Sequence, residues 1–172
     1  MSVIQAPLVI QTRRMYLREL DLGDDAFILE LLNEAGFMRY IGDKGVRTLD
    51  DAREYLLMGP MDSYARNGFG LYAACLHRGT PIGICGLVKR VGLDDPDVGF
   101  AFLARYWARG YAVESAAAVL AHGRRVLKLD RIVAITSPDN SASIAVLEKI
   151  GLKFERMIRL VHDGPEIKLY SG

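Results

Sequence analysis

Tyr106-Trp107-Ala108-Arg109-Gly110-Tyr111-Ala112-Val113-Glu114 is the stretch on which the reading of this chain turns. The residues before it, Val98-Gly99-Phe100-Ala101-Phe102-Leu103, form a short apolar run with aromatic enrichment, the pattern of a buried strand. After it, Val113, Ala117, Leu120 and Leu127 recur at helical spacing, with Glu114 and Arg125 off that face. A strand that turns tightly into a helix leaves the first N–H groups of the helix without intrahelical acceptors, and such a start attracts anions. Gly110 permits a conformation closed to other residues and a close approach to the backbone, and Ala112 keeps the wall low. A phosphate is the ligand that fits. An ordinary strand-to-helix turn with a terminal glycine fits the same letters, and this stretch alone leaves both open.

Working outward, a chain of 172 residues with 51% hydrophobic composition is long enough for one domain with a sizeable core, spanning residues 1–172. Charged residues are 25% and the formal net charge is +1, so the overall basic footprint of a nucleic-acid binder is missing. The stretch Met1–Gln11 lacks a basic segment followed by an apolar run, and no window is apolar enough to span a membrane. The expectation is a cytoplasmic protein without membrane or nucleic-acid partners. His77, His122 and His162 lie far apart and none has metal-ligand spacing, so no metal is expected. Cys75 and Cys85 flank the turn Arg78-Gly79-Thr80-Pro81 and could face each other across a hairpin; in a reducing compartment two buried thiols are expected instead.

Leu8 to Glu19 reads as one strand, bent at Thr12-Arg13-Arg14. Asp21 to Asp25 starts a helix through Phe27, Ile28, Leu31 and Leu32, and Phe37 to Gly45 reads as glycine-punctuated loop. Thr48-Leu49-Asp50-Asp51 resembles a capping box ahead of a helix toward Tyr64, with Gly59-Pro60 as an irregularity inside it. Gly70–Leu76 and Ile82–Val88 form a hairpin, and Leu93–Asp97 is a turn. A strand at Arg131–Ile135, a helix from Ser137–Ser141 to a terminating Gly151, and strands at Phe154–Val161 and Glu166–Tyr170 complete the order. Antiparallel strands followed by strand–helix–strand predict an α/β (α+β) fold with a mixed, mostly antiparallel central sheet flanked by helices.

Taken together, these residues resemble the GNAT superfamily of acyl-CoA N-acyltransferases, whose signature loop is Gln/Arg-x-x-Gly-x-Gly/Ala; here it is Trp107-Ala108-Arg109-Gly110-Tyr111-Ala112. The surrounding letters are most similar to the branch of ribosomal-protein N-terminal alanine and serine acetyltransferases. Thr12-x-Arg14-Met15-x-Leu17-Arg18 resembles that branch's first strand, and Asn140-x-x-Ser143-x-x-x-Leu147-Glu148-Lys149-Ile150-Gly151-Leu152-x-Phe154 its last helix. The resemblance implies acetyl-CoA as co-substrate and an amine acceptor, with a protein or peptide N-terminus favoured. A small amine acceptor (polyamine, amino acid or aminoglycoside) and a non-catalytic CoA-binding module are the alternatives. Oligomeric state stays open between monomer and homodimer.

By the same resemblance, the backbone at Phe100, Ala101 and Phe102 would pair with the pantetheine arm. The amides of Ala108, Arg109, Gly110, Tyr111, Ala112 and Val113 would hold the pyrophosphate, and Asn140 would contact the arm. An amine held in line with a thioester needs little further assistance, so positioning can supply most of the catalysis. The chain departs from the family where a tyrosine acid is frequent, since Leu147 stands there, and where a glutamate base occurs, since Ile135 stands there. Ser143 or water is then the acid, and Asp97, at the start of the strand, is the remaining base, with a turn residue after Pro96 as its plainer reading. Asn140 serves equally as a helix N-cap. Arg105 and Arg109 meet phosphate or solvent, Glu114 suits a helix start, and Tyr111 and Trp107 suit packing.

Overall fold

The computed structural model describes residues 6–172; the reading of Met1–Gln5 lies outside the described residues. Among these, eight strands form one sheet in the order β1-β2-β3-β4-β5-β6-β8-β7. They are β1 (Leu8–Gln11), β2 (Met15–Glu19), β3 (Leu71–Leu76), β4 (Pro81–Val88), β5 (Asp97–Phe102), β6 (Val133–Thr136), β7 (Lys153–Ile158) and β8 (Ile167–Ser171). Neighbours are antiparallel throughout, except that β5 and β6 run parallel.

The single bent strand expected over Leu8–Glu19 is instead a hairpin. The Thr12 N–H donates to the Met15 carbonyl at 2.8 Å, the Thr12 hydroxyl oxygen accepts from the Met15 N–H at 3.1 Å, and Ile10 pairs back on Leu17. Polar residues at Thr12-Arg13-Arg14 close a turn rather than bend a strand, because Thr12 caps it with its own side chain.

Helices α1 (Asp25–Leu32), α2 (Ala35–Tyr40) and α3 (Leu49–Leu56) cover one face of the sheet, and α4 (Asp62–Asn67) follows, its Tyr64 stacked on Tyr72 of the other face. Thr48 accepts from Asp51 N–H while the Asp51 side chain accepts from the Thr48 N–H, so the capping box forms as read. A π-helical segment, Leu57–Met61, joins α3 to α4. Pro60 has no N–H to offer the ladder, and the wider turn absorbs it without ending the helix. Helix α2 occupies residues read as loop. Its pattern is weak, with only Phe37 buried and no side-chain cap, and tertiary packing makes up the difference. Gly36 lets the Trp107 ring lie on the helix, where a Cβ would stand 2.6 Å from the indole.

Helices α5 (Tyr111–Arg125) and α6 (Ser141–Lys149) pack on the opposite face, over Val98, Phe102, Ile132 and Ala134. Cys75 belongs to the first face and Cys85 to the second. They are not opposite one another: Cys85 pairs with Tyr72 and Cys75 with Pro81. Both are free and buried, and burial pushes the Cys85 thiol up to about 12, against a hydrogen bond with Ser115. Among the described residues, no helix is long and apolar enough to cross a membrane.

Candidate active site

The sheet is split where its parallel pair begins. Strands β5 and β6 touch at Asp97 and Val133 alone, where the Val133 N–H donates to the Pro96 carbonyl at 3.0 Å. Toward their C-terminal ends they diverge and leave a wedge inside the sheet. Which backbone groups face it follows from the antiparallel alternation with β4. Leu103, opposite Ile82, donates to its carbonyl at 3.0 Å, so Ala101, opposite Ile84, and Gly99, opposite Gly86, also turn their backbone toward β4. Phe100 and Phe102 therefore turn theirs into the wedge. Ala101, expected among the pairing residues, spends its backbone on β4 and offers only a methyl group to the other face.

The Phe102 carbonyl is already taken: the Trp107 indole N–H donates to it at 2.7 Å. Trp107 was read as a packing residue, and this bond is a second duty that side-chain type alone does not reveal.

At the open end of the wedge the chain turns into α5. Ala108 (φ 58) and Gly110 (φ 83) both adopt left-handed backbone. Alternation of left- and right-handed residues aims successive N–H groups inward, the geometry of an anion-binding nest. The backbone N–H groups from Ala108 through Val113 have no acceptor among the described residues; the helical ladder starts with Glu114 N–H to the Gly110 carbonyl at 3.0 Å. Gly110 is the N-cap and has no side chain to cap with. Of the two arginines in this loop, Arg105 is bound to Glu30 at 2.6 Å, whereas Arg109 lies 5.8 Å from the Tyr106 ring centre and forms no ion pair among the described residues.

The turn of the first hairpin holds this nest in place. Glu114 accepts from the Thr12 hydroxyl at 2.6 Å, the Arg14 N–H at 3.0 Å and Arg14 Nε at 2.7 Å. Arg14 also donates to the Arg109 carbonyl at 2.9 Å and stacks on Tyr111, 4.3 Å from its centroid. Partial burial works to raise the Glu114 pKa, but the hydrogen bonds from Thr12 and Arg14 prevail and hold it below the usual carboxylate value. Thr12 and Arg14 were legible only as a pattern shared with relatives; their function as clamps depends on a contact a hundred residues away in sequence.

On the far wall, Asn140 N-caps α6: its Oδ1 accepts from the Ser143 N–H at 3.2 Å, which leaves its amide NH2 free. The Ser143 hydroxyl makes no hydrogen bond among the described residues, and Leu147, one turn on, is buried. Asp97 is not a turn residue. It opens β5, is 1% exposed, and binds Arg90 Nε at 2.9 Å. Burial raises its pKa and Arg90 opposes the rise. Its side chain shares the face of Gly99 and Ala101, toward α1–α3, whereas Val98, Phe100 and Phe102 face α5. Phe100, Phe102 and the nest thus follow one another along the β5 side of the wedge, Asn140 and Ser143 begin the helix that follows β6, and Asp97 lies at the apex bound to Arg90.

A split parallel pair that leads into a nest of uncapped amides is an architecture other proteins share. Residues 14–153 match the family model described as Acetyltransferase (GNAT) domain. The uncharacterised N-acetyltransferase YnaD of Bacillus subtilis is 31% identical over 147 residues, covering 85% of this chain and 83% of its own. A GNAT-family acetyltransferase of Bacillus anthracis superposes with a TM-score of 0.75 at 27% identity, over 94% of this chain and 95% of that one. RimJ of Mycobacterium smegmatis, solved with a CoA-disulfide, superposes at 0.77 with 21% identity, over 95% and 86%, and bears on the fold alone. Sequence match and wedge geometry agree over nearly the whole length, and the chain belongs to the GNAT family of acetyl-CoA-dependent N-acetyltransferases.

Proposed function

We propose that this chain transfers an acetyl group to the free amino group of a protein or peptide N-terminus. The observation that carries the transfer is the wedge: the free backbone of Phe100 and the free N–H of Phe102 lead to the unpartnered amides of Ala108–Val113. These fit a phosphorylated, amide-bearing arm laid in as an extra strand. When bound, acetyl-CoA supplies a thioester whose C–S bond is replaced by an amide C–N bond.

The nest residues Ala108, Gly110, Tyr111, Ala112 and Val113, with Arg109, take the pyrophosphate through backbone N–H groups and one free guanidinium. Phe100 pairs with the arm through its free backbone groups. The Phe102 N–H is the donor we assign to the acyl oxygen, where negative charge grows. The free NH2 of Asn140 contacts the arm from the opposite wall. The proton lost by the attacking amine passes through water or the Ser143 hydroxyl to the departing thiolate, a tolerable leaving group because thiols ionise near ~8.5. Asp97 is a positioning residue: sealed under Arg90, it orients that guanidinium instead of meeting the amine.

The peptide acceptor is supported by the resemblance of the Thr12–Arg18 and Asn140–Phe154 segments to the branch that acetylates ribosomal-protein N-termini. Thermal shift with acetyl-CoA, followed by mass spectrometry of a peptide panel, tests the reading. The expectation is stabilisation that grows with ligand concentration and an acetyl group added at the α-amine. Acetylation of polyamines or aminoglycosides but no peptide would replace the acceptor; no stabilisation at millimolar acetyl-CoA would remove the cofactor site.

A further inference from the structure

Strand β7 ends the sheet, and its outer edge has no partner strand among the described residues. All of its residues but Ile158 are exposed, and two of them are large and apolar: Phe154 is 51% exposed and Met157 37%. In a regular strand two residues three positions apart lie on opposite faces. Here they share one. The ladder with β8 steps from Phe154 opposite Tyr170 to Arg156 opposite Leu169 and Met157 opposite Lys168, so Glu155 is the extra residue of a bulge. Phe154 and Met157 therefore stand with Lys168 and Tyr170. The Phe154 and Tyr170 rings meet edge to face at 5.9 Å, and Lys168 Nζ lies 5.6 Å from the Phe154 ring centre. Glu155 and Arg156 stand on the other face, with Leu169 and Ser171. The Ser171 hydroxyl donates to Glu155 at 3.3 Å, and Arg131 Nη2 donates to both carboxylate oxygens at 2.9 and 2.8 Å. Arg156 is 65% exposed, its Nε stays 3.8 Å from Glu155, and it makes no hydrogen bond among the described residues.

This edge is complementary to itself. A twofold axis through the bulge, perpendicular to the sheet, sets Phe154 opposite the second copy's Met157 on one face and Glu155 opposite the second copy's Arg156 on the other. We propose that β7 is an isologous interface, on which a second copy of this chain adds its own β7 antiparallel and joins the two sheets into one. The open backbone groups of the edge supply the ladder, and two Phe154 and two Met157 side chains cover one another. Charge fixes the register: a slide by one residue in either direction sets Glu155 against Glu155 or Arg156 against Arg156, and like charges directly opposite are destabilising. A bulge ordinarily blunts an edge strand. Two identical bulges that face each other across the axis leave neither strand longer than the other, so the ladder resumes on both sides.

Solution mass tests the interface, by sedimentation equilibrium from about 1 μM to about 1 mM, the span of weak to moderate association. The expected result is a rise with concentration toward twice the chain mass of 19.1 kDa. Arg156→Glu sets carboxylates opposite each other at both symmetric positions and should weaken the dimer about tenfold. Engineered cysteines read the register, since Cys75 and Cys85 are buried. At a concentration where the protein is dimeric, an equimolar mixture of Phe154→Cys and Met157→Cys chains should link through a disulfide on mild oxidation. Neither variant alone should do so, because like residues then lie roughly 8 Å apart, beyond the reach of a disulfide. A monomer at every concentration overturns the proposal. So does a dimer of unchanged strength in Arg156→Glu, or a mixture that links no better than the single variants, because the copies then meet through another surface or register.

Discussion

The indole nitrogen of Trp107 donates to the carbonyl oxygen of Phe102 at 2.7 Å, across the turn that carries β5 into the nest. The same ring lies on Gly36 of α2, so one side chain ties β5, the loop and α2 together. Trp107→Phe keeps the ring contact and deletes the bond. A net contribution of ~0.5–1.5 kcal/mol for such a bond predicts a Tm lower by about 1–6 °C in a chain of this size. Acetyl-CoA affinity should weaken several-fold, because the last turn of β5 loses its stop. Calorimetric titration decides; an unchanged Kd would reduce the indole to packing.

Gly110 has φ 83, and a Cβ on it would stand 3.2 Å from Arg14 Nη2. A β-branched residue resists this backbone at a cost of at least ~1–2 kcal/mol. Gly110→Val should therefore fold with reduced stability and lose acetyl-CoA binding, since relaxation to negative φ turns the amides out of the nest. Unchanged affinity in calorimetry would mean that the anion site lies elsewhere.

Glu114 contributes stability in a defined pH window. Its folded pKa is depressed below 4.5, chiefly by hydrogen bonds from Thr12 and Arg14 that outweigh partial burial. Its contribution is then complete above the unfolded value and is lost as pH falls through the folded one. Glu114→Gln should cost about 1–3 kcal/mol at neutral pH, as expected when a charge-assisted acceptor is replaced. The Tm difference between the two proteins should shrink on acidification below ~4.5. A difference constant from pH 7 to pH 3 would show that the clamp does not depend on the carboxylate charge.

Asp97→Asn separates a positioning residue from a base. A general base supplies ~10²–10⁴-fold in rate, and its removal hurts less as pH rises toward the amine's own pKa. With Asp97 buried under Arg90, we expect parallel pH profiles of kcat for the two proteins, a raised acceptor KM and a lower Tm. A kcat loss that fades at high pH would restore the base.

Much of the fold was legible because it is local. The apolar runs Gly70–Leu76 and Ile82–Val88 about a short turn, the capping box at Thr48 and the terminating Gly151 are short-range patterns, and their elements formed where read. Helix α2 and the first hairpin were not, because α2 is held by a ring from residue 107 and the hairpin by a cap whose geometry has no periodic signature.

The candidate site divides the same way. The letters around Gly110 were enough to point to an anion at a strand-to-helix turn, since positive φ and a bare N-cap are properties of the residues themselves. Three things depended on distant parts of the chain meeting. One is the wedge, which exists because β6 returns parallel to β5 and touches it only at Asp97 and Val133. Another is the clamp of Thr12 and Arg14 on Glu114, and the last is the burial of Asp97 beneath Arg90. Sequence alone made Asp97 a candidate base because it stated the carboxylate's chemistry; tertiary structure made it a buried counter-ion, because a charge taken from water must find its partner.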